Sequence, residues 1–496
     1  MLIKNAKIYG GKPQDIRVRD GLIAEIGEDL KPESINLNST SVNLGAESAN
    51  LAKNSHQNSK NSRSGDLKSK NSHQNNEISH PKSENLKAGR ENADTAQSTA
   101  PQNQTAQEQV LDAAGLTLLP AFIDLSVTLK NEHFSIENLR ALEAECLKSG
   151  VCAVVLKDTM DFDEEGLALF LEHLKSLKVK VFAAVRVLDG SGKLKNLSTL
   201  VNKGALALQC ESGVRAGVLR QCMQYAQMKD RAVFVHCYDG GYDDNGVMND
   251  SQTSFELGLV GISAVSEFSE VAKIKQVAQF YGARVLYECL SLGRSLDLLD
   301  GGDLIQTSIH HLLKTDEECG EFNTFAKLMP PLRSKKDTLA LQKALKARKI
   351  KFLSSLHSPK SITHKDVAFD EAGFGVDALG DYLSLCYSFL VRGGGFSWQE
   401  VCEFASFNQA EFLGLNAGKI ELGREANFVL FDENVVRDKV LLRGDLSSEN
   451  ATRGALDEKK TSALSAETAR KNESLYAKDE LFGEVKAHFI KGKRVF

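Results

Sequence analysis

No apolar run in this sequence approaches the roughly 18 residues that a membrane span needs. The start, MLIKNAKIYGG, is charged throughout, so no signal peptide is expected. Basic charge is not in excess either: 61 Lys and Arg stand against 66 Asp and Glu, a net of -5. That balance offers no field for nucleic acid or anionic lipid, and no membrane or nucleic-acid partner is expected. None of the nine cysteines forms a CxxC pair. They sit in apolar stretches such as VCAVVL and FVHCYD, as reduced, structural thiols of a cytoplasmic protein do.

Residues 34–108 are built of Ser, Asn, Gln, Lys and Glu without an aromatic side chain. Such a stretch cannot bury enough surface to offset its ordering entropy, so a disordered polar insert is expected there. A second polar insert is expected at 443–473. Between them the chain alternates. Runs rich in Val, Ile, Leu and Phe occur at AFIDLSV, VCAVVL, VKVFAAVRV, ALALQC, AVFVHC, ARVLYECL, DLIQTS and KIKFLSS, most of them separated by helical patterns. In SIENLRALEAECLKSG, Ser135 can cap a helix, Ile136, Leu139 and Leu142 share a face, and Gly150 can end it. Eight strands alternating with helices predict an α/β fold, a closed (β/α)8 TIM-type barrel over 120–415. An open doubly wound sheet would more often show a Gly-rich phosphate turn after its first strand, and none is present. Residues 1–33, 109–119 and 416–496 alternate apolar and polar positions with Gly turns, which predicts one small β domain assembled from both ends.

Several blocks carry a family resemblance: LDAAGLTLLPAFIDL, HCYDGGYDDNGVMND, GLVGISAVSEFSEVAKI, HHLLKTDEE, MPPLRSKKD, FDEAGFG and LGREANFVLFD. Together they resemble the cyclic amidohydrolases, specifically bacterial dihydroorotases, over the whole chain except the two inserts. The resemblance implies a metal-dependent hydrolase fold with two divalent metals at the barrel mouth. There a metal-bound hydroxide attacks a ring amide.

Position by position, however, the ligands implied by that family are missing. Its first-strand His-x-His is here Ser126-Val127-Thr128, and hydroxyls are poor zinc ligands beside imidazole. The strand-four carboxylate has Glu211 as its nearest match, within a residue or two. The strand-five His is kept as His236. Cys289 stands where the strand-six His would be. The strand-eight Asp, ligand and proton shuttle, is Leu356. The substrate positions have changed too: Lys130 replaces an Arg, which loses the planar fork. Thr159, in KDTM, matches the Asn of MPNT. Met329 replaces the Asn of NPPLR, and Lys360 the last His of DHAPH.

Apolar replacements such as Leu356 and Met329 predict a mouth filled with apolar atoms. His236 is the one retained ligand, with Glu211 and Cys289 as weaker candidates; each also reads as an ordinary strand-end or core residue. His236, Cys289 and His357 could meet as one zinc site only by reaching across part of the barrel. Glu288, alternating with Cys289, is expected to face the helices. His310, His311 and Arg333 read as structural. The resemblance implies an oligomeric, non-catalytic dihydroorotase homologue without a cofactor, beside aspartate carbamoyltransferase. The alternative is an active hydrolase with a rebuilt zinc site.

Overall fold

The protein is described by a computed structural model over residues 1–36, 105–157, 162–437 and 474–496. Thr159 and the second insert, 443–473, lie outside the described residues, as does 37–104 of the first.

The apolar runs become eight strands: β1 (Phe122–Val127), β2 (Val151–Lys157), β3 (Lys180–Arg186), β4 (Ala207–Glu211), β5 (Ala232–His236), β6 (Arg284–Tyr287), β7 (Leu304–Ser308) and β8 (Phe352–Ser354). They lie side by side in chain order, each parallel to the next. Both faces are covered, which is why β1 is buried at every residue and reads as a continuous apolar run. The barrel is of the TIM type. Asp124 stitches its last strand to its first. The buried Asp124 carboxylate accepts from Ser354 Oγ at 2.6 Å, Ser355 N–H at 2.8 Å and Ser126 N–H at 3.0 Å. Above it, Thr128 N–H donates to His357 O at 2.8 Å.

Helix α1 (Ile136–Ser149) follows β1. Ser135 Oγ accepts from Asn138 N–H, and Gly150 ends the helix at φ +79°. A Cβ at Gly150 would sit 2.7 Å from Val429 Cγ1, so both conformation and space demand glycine. Leu139 and Leu142 are buried, but Ile136 is 49% exposed. As the first residue of the helix it lies past the end of the face that meets the barrel.

A second sheet draws on three parts of the chain. Leu2–Ile8, Pro13–Arg19 and Leu22–Gly27 form an antiparallel meander. Thr117–Pro120 lies parallel to Leu2–Ile8, and Phe428–Arg437 and Leu481–Ile490 extend the sheet antiparallel. Ile3, Ile16, Phe428 and Phe489 fill its core. The first insert differs from expectation at its rims: Ser34–Asn36 pairs antiparallel with Thr105–Gln107. Backbone ladders need no apolar side chains, so polar composition did not reveal this pair. Among the described residues no helix is long and apolar enough to cross a membrane.

Candidate functional site at the barrel mouth

The C-terminal ends of the strands surround a cavity of about 250 Å³. Such a mouth is where barrel enzymes place their chemistry. Ser126 and Thr128 reach it from β1, Lys157 from β2, Arg186 from β3, Gln209 and Glu211 from β4, and His236 from β5. Glu288 and Cys289 follow β6, Met329 lies beyond β7, and Leu356 and His357 follow β8. The structure thus gathers most of the expected positions at one mouth. It does not fill that mouth with apolar atoms. Leu356 and Met329 are there, but charged and amide groups share the wall, because substitution at two positions left the neighbouring polar side chains in place.

His236 Nδ1 meets Glu211 Oε2 at 2.9 Å. The two side chains differ in exposure: His236 is 16% exposed and Glu211 53%. Burial disfavours the charge on His236, yet the Glu211 carboxylate outweighs it and raises the imidazole pKa. Glu211 in turn is held below the usual carboxylate range: burial opposes this, and His236 and Lys157 outweigh it. Cys289 is almost fully buried, with Sγ 3.3 Å from Gln306 Oε1. Burial pushes its thiol far above the normal range, which makes it a poor nucleophile.

Glu288 corrects a sequence expectation. It faces the mouth, not the helices, and pairs with Lys157 at 3.4 Å. The strand ends at Tyr287, and Cys289 adopts φ +45°, so strict alternation fails there and both side chains turn inward. Lys157 is the residue that sequence reasoning missed. A charged residue at the C-terminal end of a barrel strand was the available signal.

His236, Cys289 and His357 line one cavity but do not converge. Among the described residues a single set of His, Cys, Asp or Glu has ligand atoms all within 4.8 Å: Glu145, His357 and Asp377. His357 Nε2 lies 3.6 Å from Glu145 Oε2 and Nδ1 3.5 Å from Asp377 Oδ1. Backbone N–H groups of Leu379 and Ala378 also donate to Nδ1, at 3.2 and 3.4 Å. Burial raises Asp377 to about 6, opposed by the Lys130 charge. Lys360 does not face a ligand space freely; its Nζ donates to Glu132 at 2.6 Å.

His310 and His311 are fully packed. His310 bonds Tyr476 OH and Ser355 O, each at 2.8 Å, and His311 bonds Ser308 Oγ and Pro330 O. Arg333 is buried and ties loops together through Asn249 Oδ1, Ile262 O and Ser291 Oγ. A larger cleft, about 410 Å³, includes Lys175, Lys178 and Lys180 but lies away from the mouth residues.

A match to the Amidohydrolase family spans residues 83–495. This chain belongs to the amidohydrolase family. Within it, the chain is dihydroorotase-like. It is 30% identical over 344 residues to the dihydroorotase of Ruminiclostridium cellulolyticum, covering 66% of this chain and 80% of that protein. Against the dihydroorotase of Elusimicrobium minutum it is 28% identical over 342 residues, covering 66% and 79%. Solved structures share the fold. L-Hydantoinase from Arthrobacter aurescens superposes with TM-score 0.67 at 15% identity, covering 100% of this chain and 95% of that one. Dihydropyrimidinase from Brevibacillus agri NCHU1002 gives 0.67 at 15%, covering 100% and 94%.

Amidohydrolases generally use zinc, and this mouth fits a metal pair poorly. Leu356 offers no donor atom. Ser126 and Thr128 offer only hydroxyls, and among the described residues neither Cys289 nor His236 belongs to a set of three converging donors.

Proposed function

We propose that this amidohydrolase is a dihydroorotase-type protein of pyrimidine biosynthesis that no longer hydrolyses its ring substrate. In this reading it acts in the cytoplasm without zinc, as a structural partner of aspartate carbamoyltransferase in a symmetric oligomer. One observation carries the non-catalytic part: each carboxylate reaching the mouth from β4 and β6 already has a basic protein partner, His236 for Glu211 and Lys157 for Glu288. Metal-assisted hydrolysis needs several neutral or anionic donors converging on one point, and a proton shuttle beside them. With Leu356 at the shuttle position, no carboxylate is available there. The partner rests on the resemblance to dihydroorotase homologues that lack these ligands.

A second reading has its own observation. Glu145, His357 and Asp377 could hold a single ion at the edge of the mouth that the retained His236 also lines. That protein would be an active cyclic-amide hydrolase with a rebuilt zinc site.

The purified chain, supplied with zinc, should be assayed for interconversion of dihydroorotate and carbamoyl aspartate. The non-catalytic reading expects no rate above background. A rate that disappears in His236→Ala and in His357→Ala would establish the second reading instead. Tagged chain expressed in its native cell should retain aspartate carbamoyltransferase through gel filtration. Elution without it would remove the partner from the account.

A further inference from the structure

The pair Lys157–Glu288 has a placement that its distance alone does not convey. Lys157 ends β2 and Glu288 follows β6, four strands apart in an eight-stranded barrel. The two side chains therefore meet from opposite sides of the mouth. The His236–Glu211 pair, by contrast, joins neighbouring strands. Only a contact over the open end can connect β2 to β6, because six other strands separate them around the wall in two groups of three.

Glu288 needs that contact. Its side chain is 1% exposed, and among the described protein groups Lys157 is the cation paired with it. A buried carboxylate without a counter-charge is strongly disfavoured. A metal, a proton or an ammonium group must balance it, and the ammonium of Lys157 lies 3.4 Å away. Lys157 is itself largely enclosed, at 18% exposure, so its charge is committed to the cavity and not to solvent. In the KDTM stretch, with Thr159 set against the Asn of MPNT, Lys157 falls on the Met of that motif. The charge enters the mouth in the same chain that lacks His, His and Asp at Ser126, Thr128 and Leu356.

We infer that Lys157 is a built-in substitute for the metal: its ammonium neutralises Glu288 and, with it, forms a strut across the barrel mouth that divalent ions are not needed for and cannot easily enter. A metal pair would draw ligands from several strands into one cross-link and bring positive charge among carboxylates. The strut does both jobs with one salt bridge. An incoming dication would have to displace a tethered cation that cannot leave by diffusion. This inference rests on the reading that the mouth does not work by metal hydrolysis.

The test is a thermal-unfolding cycle on the full chain with Lys157→Met, Glu288→Gln and the double variant, each scanned with EDTA and with zinc chloride. Lys157→Met leaves Glu288 buried and unpaired, and its midpoint should fall by roughly 5 °C. The double variant, with neither charge, should recover at least half of that loss. Zinc should leave the wild-type midpoint unchanged and raise that of Lys157→Met. If the single variant does not fold, the double variant and Glu288→Gln still decide the matter: a stable double variant beside a destabilised Glu288→Gln supports the strut. Additive effects in the cycle, or a wild-type midpoint that falls in EDTA and returns with zinc, would overturn it. A dihydroorotate-hydrolysing chain with a non-additive, zinc-indifferent cycle would sink the non-catalytic reading while leaving the strut in place.

Discussion

The seam that closes the barrel and the mouth directly above it are built from adjacent residues, yet they follow different rules. At the seam both oxygens of one carboxylate are used. Asp124 is fully buried and accepts from Ser354, Ser355 and Ser126. At the mouth the contacts are fewer and charged: His236 meets Glu211 at 2.9 Å and Lys157 meets Glu288 at 3.4 Å. The seam serves closure, which every member of the fold requires. The mouth serves chemistry, and the chain can change it without unfolding, because its stability resides in the packed wall.

This contrast ranks the effects of substitution. Asp124→Ala removes an acceptor from three buried donors at once and should cost about 4 kcal/mol, read from the denaturant midpoint at constant slope. A loss below about 1 kcal/mol would mean that the seam is held by the ladder and packing alone.

Acid should act next, and through the packed histidines. Burial holds His310 at about 3, and His311 and His488 at about 4, below the ordinary imidazole value of 6.5. Between those values and 6.5 the unfolded chain binds more protons than the folded one. Stability is therefore full above pH 6.5 and falls as the pH drops toward 4; three such groups at roughly 1.8 kcal/mol each make about 5 kcal/mol between pH 7 and 5. Denaturation midpoints at a series of pH values would show this slope, and His311→Asn should flatten it. A flat profile would place solvent or compensating charge around these rings.

The smallest effect belongs to the mouth. Glu211 is half-exposed, so His236→Ala should change stability by under about 1 kcal/mol. A cost matching that of Asp124→Ala would erase the distinction between the two regions.

The same distinction explains what the sequence made legible. The wall could be read because parallel strands covered on both faces are continuous apolar runs, and each of the eight runs holds one strand. Ser135 and Gly150 marked the ends of α1 by local chemistry alone. The mouth was legible only as a set of replacements. That Lys157 and Glu288 meet could not be read, since it depends on closing the barrel and on the backbone turn at Cys289. Glu145 and Asp377, far apart in sequence, gather around His357 only in three dimensions. The pairing of His236 with Glu211 was within reach, because adjacent parallel strands set their end residues side by side.

The most direct measurement is the zinc content of the chain purified without chelators and without added metal, by inductively coupled plasma mass spectrometry. A mouth whose carboxylates already engage Lys157 and His236 should carry far less than one zinc per chain. One or two tightly held zinc ions per chain would contradict the account and return the protein to the metal-dependent hydrolases.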